Sequence, residues 1–221
     1  MTLPSTAPSW STRLPARWAR ALIWQFVLEP FVRTFYDLSS TGRTNLARID
    51  PPAIFAANHC AHLDNGFIIM SLPFRWRSRL AIAAATQDIF GKRHFGLPIK
   101  GMLARLLGNG FPFSRRGKSP RLAYFRALLA RGWSVLLYPE GRLTIGEAIG
   151  PFLPGVGIVA VESGVPVIPV RVVVVTPGPW EGGPRLSRGR TIVKFGAPLR
   201  FPITYDPAAA TTEIAAAVAA L

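Results

Sequence analysis

A histidine and an aspartate lie five residues apart, directly after an apolar run. The run covers residues 53–57, and Asn58, His59 and Asp64 follow it. A histidine beside a carboxylate is a common general base, because the carboxylate holds the imidazole in one tautomer. On one continuous α-helix a five-residue step turns by about 140°, so the two side chains would diverge. The spacing therefore predicts a strand, a turn that carries His59, and a helix that begins at Asp64.

Two further apolar runs have the character of buried strands and end in charged residues. Arg115 and Arg116 follow the run 110–113, and the planar guanidinium group of arginine suits a phosphate. The run 135–138 leads into a carboxylate, a glycine and an arginine at 140–142. Sites in open α/β sheets gather at the carboxyl ends of strands. We therefore expect these charged residues to lie near the histidine.

Four sequence blocks, taken in order, resemble the glycerolipid acyltransferase family, which includes the lysophosphatidic acid acyltransferases. Its hallmarks are Asn-His, four residues and Asp, then a strand ending in Arg, then Phe-Pro-Glu-Gly, then a strand of the Val-Pro-Ile-Val-Pro type. A single His-x4-Asp match would carry little weight, whereas four ordered blocks are specific. The blocks of this chain are Asn58 to Asp64, Phe111 to Arg115, Tyr138 to Gly141 and Val165 to Val170.

The resemblance implies an O-acyltransferase that moves a fatty acyl group from acyl-CoA or acyl carrier protein to the free hydroxyl of a lysophospholipid, such as 1-acyl-glycerol-3-phosphate. It makes His59 the general base and Asp64 the residue that orients the imidazole. It makes Arg115 the ligand of the acceptor's phosphate, while Glu140 and Gly141 shape the acceptor site. The activated hydroxyl attacks the thioester directly, without an acyl-enzyme. No cofactor and no metal is required.

Two departures from the family pattern concern the acceptor. The family often has Asp before the arginine of the second block, where this chain has Ser114. The arginine of the third block stands one position early, at Arg142, which is a further candidate for acceptor binding. Arg116 and Arg142 are either ligands or solvated surface residues. Two alternatives stay open: an acceptor with another headgroup, such as an aminoacyl lysophospholipid, and a non-catalytic lipid-binding protein.

Two residues near His59, namely His62 and Cys60, could in principle act as a metal ligand and as a nucleophile. His62 lies three residues after His59, a spacing that could belong to a metal site, but the chain has only three histidines and one cysteine. We interpret His62 as a loop residue. Cys60 is adjacent to the histidine, and thiol and imidazole partners are not normally sequence neighbours. We interpret Cys60 as a packing residue.

The charge of the chain favours anionic partners. Lysine and arginine number 26 against 11 acidic residues, a formal net charge of +15. The candidates are an anionic membrane surface, an acidic carrier protein and nucleic acid. The basic residues alternate with large apolar ones and no nucleic-acid-binding motif appears, so we disfavour nucleic acid. No apolar run reaches about 18 residues. The sequence predicts a peripheral or monotopic protein on the cytoplasmic face of a bacterial inner membrane.

The chain divides into three predicted parts. Residues 1–13 read as a disordered lead-in, 14–38 as amphipathic, membrane-associating helices, and 39–221 as the acyltransferase domain. Pro30 is expected to split the second part into two helices. That part could equally pack on the domain's own core. The basic run 75–79, which contains a tryptophan, is either a solvated connection or a membrane contact.

Beyond residue 38 the apolar pattern alternates between strand and helix periods, which predicts an α/β fold with a mostly parallel or mixed central sheet flanked by helices. The expected strands are 53–57, 80–84, 110–113, 135–138, 167–175 and 191–195. The expected helices are 65–72, 99–107, 120–130, 155–163 and the alanine-rich tail from 208.

Overall fold

The structure is a computed structural model that describes residues 10–85, 105–113, 120–144, 149–184 and 187–221. Of residues 84, 85, 112, 113 and 120–123 it describes the backbone alone. Within this part of the chain, seven strands form one sheet. The strands are β1 (Tyr36–Thr41), β2 (Ile54–Ala57), β3 (Leu80–Ala85), β4 (Phe111–Phe113), β5 (Ser134–Leu137), β6 (Val167–Thr176) and β7 (Gly189–Phe195).

The strand order in the sheet is β1-β7-β6-β2-β5-β3-β4. Neighbouring strands run parallel except for β6 and β7, which pair antiparallel. Both faces of the central strands are apolar and buried, as is usual where helices cover a parallel sheet on both sides. The predicted α/β class with a mixed central sheet is confirmed.

Helices cover the sheet in two layers. On β2, Phe55 faces one layer and Ile54 the other, because successive side chains of a strand point to opposite faces. The first layer contains Phe67 and Trp76, and the second contains Phe125 and Ile214. The helices are α1 (Leu14–Ile23), α2 (Glu29–Phe35), α3 (Arg43–Ala47), α4 (Asp64–Ser71), α5 (Phe74–Arg77), α6 (Pro120–Ala130), α7 (Gly155–Ser163) and α8 (Pro207–Ala219).

The six predicted strands are all present, each boundary within two residues of its expected place. The helices α4, α6, α7 and α8 are also confirmed, whereas most of the predicted helix 99–107 lies outside the described residues. Strand β1 was not expected, since the helical segment was extended to residue 38. β1 is an edge strand in which Tyr36 is buried and Asp37 is exposed, and its mostly polar sequence gives a weak signal.

A π-helical turn connects the two N-terminal helices. α1 continues into a π-helical turn, Trp24–Leu28, which continues into α2 with helical dihedral angles at both junctions. Pro30 lies in the first turn of α2, where the missing N–H group costs little. The segment thus contains two α-helices, as predicted, with Pro30 in the first turn of the second, but a π-helical turn joins them without a break in the helical backbone.

One face of this segment packs on the domain through polar side chains. Arg20 is buried and donates to the carbonyl oxygens of Ser11, Arg105 and Leu106 at 2.7–3.0 Å. Burial, followed by repulsion from another arginine, lowers its pKa to about 10. The indole N–H of Trp24 donates to the carbonyl of Leu107 at 2.7 Å. Arg20 and Trp24 are thus not available to a headgroup layer, and at these residues the segment packs on the domain, which is one of the two alternatives given above.

The opposite face of the same segment is apolar and exposed. Its side chains recur at near four-residue steps, so they form one stripe. Among the described residues, no helix is both long and apolar enough to cross a bilayer. The exposed stripe consists of Leu14, Trp18, Leu22, Phe26, Val27 and Phe31, and Trp10, which precedes the segment, is also exposed.

Two further sequence interpretations are corrected. Residues 10–12, expected to be disordered, form a 3-10 turn in which the buried Ser11 hydroxyl donates to Asn109 Oδ1 at 2.6 Å. Trp76, in the basic run 75–79, is fully buried and packs edge-on against Phe55. That tryptophan is core, so it cannot contact a membrane.

The close contact between α7 and α8 yields a stability prediction. A Cβ atom at Gly157 would collide with the carbonyl oxygen of Pro207 and the hydroxyl of Thr211, whereas one at Gly155 meets nothing within 4 Å. We expect Gly157→Ala to lower the free energy of unfolding by about 1–3 kcal/mol. Gly155→Ala should leave it unchanged or raise it by up to about 1 kcal/mol. Urea unfolding measures both, and equal losses would contradict the predicted packing.

Candidate active site

The turn between β2 and α4 carries the predicted pair, His59 and Asp64. β2 ends at Ala57 with every residue buried, and α4 begins at Asp64. β2 lies between β5 and β6, which run parallel to it. The turn therefore leaves the sheet at the carboxyl ends of three parallel strands, which is where binding sites form in open α/β sheets.

The Asp64 carboxylate is fully buried and receives three hydrogen bonds on one oxygen. Its Oδ2 accepts from Nδ1 of His59 at 2.9 Å and from the backbone N–H groups of Cys60 at 2.8 Å and Ala61 at 3.0 Å. Asp64 is also the first residue of α4, where the helix dipole favours a negative charge. The structure thus brings His59 and Asp64 together, as their spacing predicts.

The contact with Asp64 decides which ring nitrogen of His59 can accept a proton. A carboxylate accepts hydrogen bonds only, so Nδ1 carries the hydrogen and the lone pair is on Nε2. The His59 side chain is 26% exposed, so the imidazole is within reach of a bound molecule. The ring of Tyr138 stacks on the imidazole, with the centroids 4.3 Å apart. Chemically, this arrangement can take a proton from a hydroxyl.

Glu140 holds the turn in place from the neighbouring strand. Its Oε1 accepts from the backbone N–H of His59 at 2.8 Å, and its Oε2 accepts from the Thr144 hydroxyl and the Gly150 N–H, both at 2.8 Å. The backbone N–H of Thr144 in turn donates to the carbonyl of His59 at 2.7 Å. Both carboxylate oxygens are occupied by protein groups. Glu140 therefore positions the histidine turn, and its predicted contribution to the shape of the acceptor site stays a prediction.

Of the remaining predicted substrate-binding residues, the structure describes Gly141 and Arg142. Gly141 adopts a φ of 67°, a left-handed conformation that favours glycine, and its N–H donates to the Tyr138 carbonyl at 3.0 Å. Its role is to make the turn after Glu140. Arg142 follows with an exposed side chain. Arg115 and Arg116 lie outside the described residues, so the phosphate site stays a prediction.

Asn58 and Cys60 attach the same turn to β6. The Asn58 amide donates to the Val172 carbonyl at 3.0 Å and accepts from the Val172 N–H at 2.7 Å, so it pairs with the strand as a peptide group would. Sequence reasoning gave Asn58 no role, although a polar amide directly after a buried strand has to be satisfied. Burial, with the nearby Asp64 charge, raises the pKa of Cys60 to about 12. The thiol is therefore neutral, which fits a packing residue.

Two other features lie away from the pair. His62 is exposed, and no group of three histidine, cysteine, aspartate or glutamate side chains among the described residues could hold a metal ion. A small cleft that is open to solvent lies beneath α1. His59 is not among its lining residues. The side chains at its mouth and walls include Arg17, Arg20, Trp24, Ile69, Phe74 and Arg77.

Comparison with known proteins gives a family match. The model of the acyltransferase family matches residues 37–173, more than half of the chain. This interval contains His59, Asp64 and Glu140.

Similar proteins include two 1-acyl-sn-glycerol-3-phosphate acyltransferases. The protein of Chlamydomonas reinhardtii is 31% identical over 139 residues, and a chloroplastic protein of Arabidopsis thaliana is 30% identical over 141 residues. Each alignment covers 62% of this chain but only 38% and 36% of the relative, so the chain spans less than two fifths of their length. The chain also matches the crystal structure of the 1-acyl-sn-glycerophosphate acyltransferase PlsC from Thermotoga maritima. The superposition covers 93% of this chain and 78% of the PlsC chain, with a TM-score of 0.64 at 21% identity. This likeness shows the same fold.

Removing the Glu140 carboxylate should destabilise the domain. In Glu140→Ala the N–H groups of His59 and Gly150 lose their acceptor, and we expect the free energy of unfolding to fall by about 2–4 kcal/mol. Urea denaturation followed by circular dichroism measures this change. The matched control is Glu162→Ala, which removes an exposed partner of Arg126 and should cost less than about 1 kcal/mol. Equal costs would show that the Glu140 contacts are not formed.

Proposed function

Since this chain belongs to the acyltransferase family, we propose that it moves a fatty acyl group from an acyl thioester to the free hydroxyl of a lysophospholipid. The observation that carries the proposal is the hydrogen bond of 2.9 Å between His59 and the buried Asp64, in a turn at the carboxyl edge of the sheet. An imidazole held in this way is a general base with one free ring nitrogen.

The proposed reaction uses His59 alone as the proton carrier. Nε2 removes the proton from the acceptor hydroxyl while the oxygen attacks the thioester carbonyl. The tetrahedral adduct then collapses, the carbon–sulfur bond breaks, and the leaving thiolate takes the proton back from the imidazolium. An ester and a free thiol result. The Asp64 carboxylate stabilises the imidazolium that forms between the two steps.

The acceptor we favour is 1-acyl-glycerol-3-phosphate, because the two relatives described above carry that activity in their names. Arg115 is the proposed ligand of its phosphate, and Arg142, exposed two residues before Thr144, is a second candidate. The donor is either acyl-CoA or acyl carrier protein. Both are anionic, so a chain with a net charge of +15 attracts either one.

We further propose that the exposed apolar stripe on α1, the π-helical turn and α2 attaches the protein to an anionic membrane surface. The lysolipid acceptor resides in a bilayer, so attachment there brings the enzyme to its substrate. The stripe presents large apolar side chains, including Leu22 at 55% and Phe26 at 71% exposure. Amphipathic helices with such a face and basic neighbours bind in the plane of a membrane. The cytoplasmic face of the inner membrane stays our predicted location.

The proposed function is tested by transfer of a labelled acyl group. Wild-type protein, each thioester donor, and either 1-acyl-glycerol-3-phosphate or an aminoacyl lysophospholipid form a small matrix. We expect labelled phosphatidic acid from the phosphate-bearing acceptor without added metal. If only the aminoacyl lysophospholipid becomes labelled, that lysolipid is the acceptor instead. Lysolipid binding without transfer for any donor would favour a non-catalytic lipid-binding protein.

The role of the histidine is tested by His59→Ala. A general base contributes about 10²–10⁴-fold to the rate, so we expect kcat/KM to fall by at least that range while the circular dichroism spectrum is retained. His62→Ala is the matched control, because His62 is an exposed histidine in the same turn, and its activity should equal that of the wild type. Full turnover by His59→Ala would overturn the proposed base.

Membrane attachment is tested by sedimentation with vesicles that contain anionic phospholipid. Replacing Leu22 and Phe26 together by serine removes two large apolar side chains, and we expect the partition coefficient to fall at least about tenfold. Ile203→Ser is the matched control, since Ile203 is even more exposed than Leu22 and Phe26 but lies outside the stripe. Unchanged binding of the double variant would refute the stripe as the attachment site. Salt-dependent DNA binding without vesicle binding would indicate a nucleic-acid partner instead.

A further inference from the structure

Tyr138 lies beside the imidazole of His59. It is the first residue after β5, and β5 runs parallel to β2 with Leu137 opposite Ala56. Tyr138 therefore leaves the sheet next to the turn that carries the histidine. Its ring and the imidazole stack with centroids 4.3 Å apart and planes inclined by 24°. Stacking of aromatic rings at this distance is attractive. One face of the imidazole is thus covered by the phenol ring.

The hydroxyl of Tyr138 contacts the residue next to Asp64. It donates to Oδ1 of Asn65 at 2.8 Å, and Asn65 is the residue after Asp64 in the first turn of α4. Burial, together with the negative charge of Asp64, raises the pKa of Tyr138 well above its ordinary value. The hydroxyl therefore keeps its proton and serves as a hydrogen-bond donor rather than as an acid in the reaction.

We propose that Tyr138 is a positioning residue: its ring fixes the plane of the His59 imidazole, and its hydroxyl fixes the start of α4 and with it Asp64. The inference rests on the proposed function, since the orientation of the imidazole matters to turnover only if His59 accepts a proton. Tyr138 contacts His59 through its ring and Asn65, the residue next to Asp64, through its hydroxyl.

The physical need for this second restraint follows from the geometry of a single hydrogen bond. The bond from Nδ1 to Asp64 leaves the imidazole free to tilt about the bond axis. A ring stacked on one face removes that freedom and keeps Nε2 in one direction. Small displacements of a reacting group are costly, since a shift of about 1 Å can reduce a rate about a hundredfold. Once the imidazole has accepted a proton, the phenol face also stabilises the cation.

The two contacts can be removed separately. Tyr138→Phe keeps the ring and deletes the hydroxyl, whereas Tyr138→Leu deletes the ring. Asn65→Ala removes the acceptor of the hydroxyl, and a double variant, Tyr138→Phe with Asn65→Ala, completes a double-mutant cycle. Tyr205→Phe is the matched control, because the Tyr205 hydroxyl contacts Glu213 at the surface.

We expect kcat of Tyr138→Phe to fall about three- to tenfold, the effect of one hydrogen bond. The double variant should be no slower than the slower of its two parents. Tyr138→Leu should lose at least about tenfold in kcat with KM changed less than about twofold. On the acid side of the pH profile, the decrease of its kcat/KM should occur at a lower pH than in the wild type, because the imidazolium has lost the phenol face. Tyr205→Phe should match the wild type throughout.

A readout independent of turnover separates this inference from the proposed function. In the proton NMR spectrum, the Nδ1–H of His59 held by Asp64 should be protected from exchange in the wild type and in Tyr138→Phe, and lost or broadened in Tyr138→Leu. If the wild type transfers no acyl group, the proposed function fails while this signal still tests the positioning. The positioning is overturned if Tyr138→Leu keeps the protected signal, or if an active wild type and Tyr138→Leu share the same kcat and pH profile.

Discussion

The arrangement of the site depends on one buried oxygen, Oδ2 of Asp64. Three donors converge on it, and two of them are backbone N–H groups of the turn that carries His59. The same carboxylate therefore closes the turn and orients the imidazole, so neither can be rearranged without the other. A buried carboxylate is stable only with such partners. The start of α4 adds a favourable dipole at the same point.

The surrounding sheet supports this oxygen from two sides. On one side, Asn58 pairs with the backbone of Val172 on β6, so the turn is fixed to that strand. On the other, Glu140 at the end of β5 accepts from the His59 backbone. β5, β2 and β6 are adjacent and parallel, so their carboxyl ends meet at one edge. The order of the strands is thus what brings together residues that lie about 80 and 110 positions apart in sequence.

Much of the fold and part of the site could be predicted from the sequence. Apolar periodicity found the strands that are buried on both faces, and the five-residue step found the contact of His59 with Asp64. Strand β1 was not predicted because its burial comes from pairing with β7, not from its own polar sequence. The pairing of Asn58 with Val172 and the contact of Glu140 with the His59 backbone were not predicted, because these partners are distant in the chain. Likewise, Tyr138 stands where the family motif has phenylalanine, and its hydroxyl gains meaning only through Asn65.

The electrostatics of the turn also bear on the choice between direct transfer and an acyl-enzyme. Cys60 is the one nucleophilic thiol in the chain, and it lies next to the proposed base. Burial and the Asp64 charge raise its pKa to about 12, and its Sγ donates to the Val172 carbonyl at 3.3 Å. A thiolate is the reactive form of cysteine, and here it is suppressed. The negative charge that orients the His59 imidazole thus disfavours the neighbouring nucleophile. Under the proposed function, this favours direct transfer of the acyl group to the acceptor oxygen over a route through an acylated Cys60.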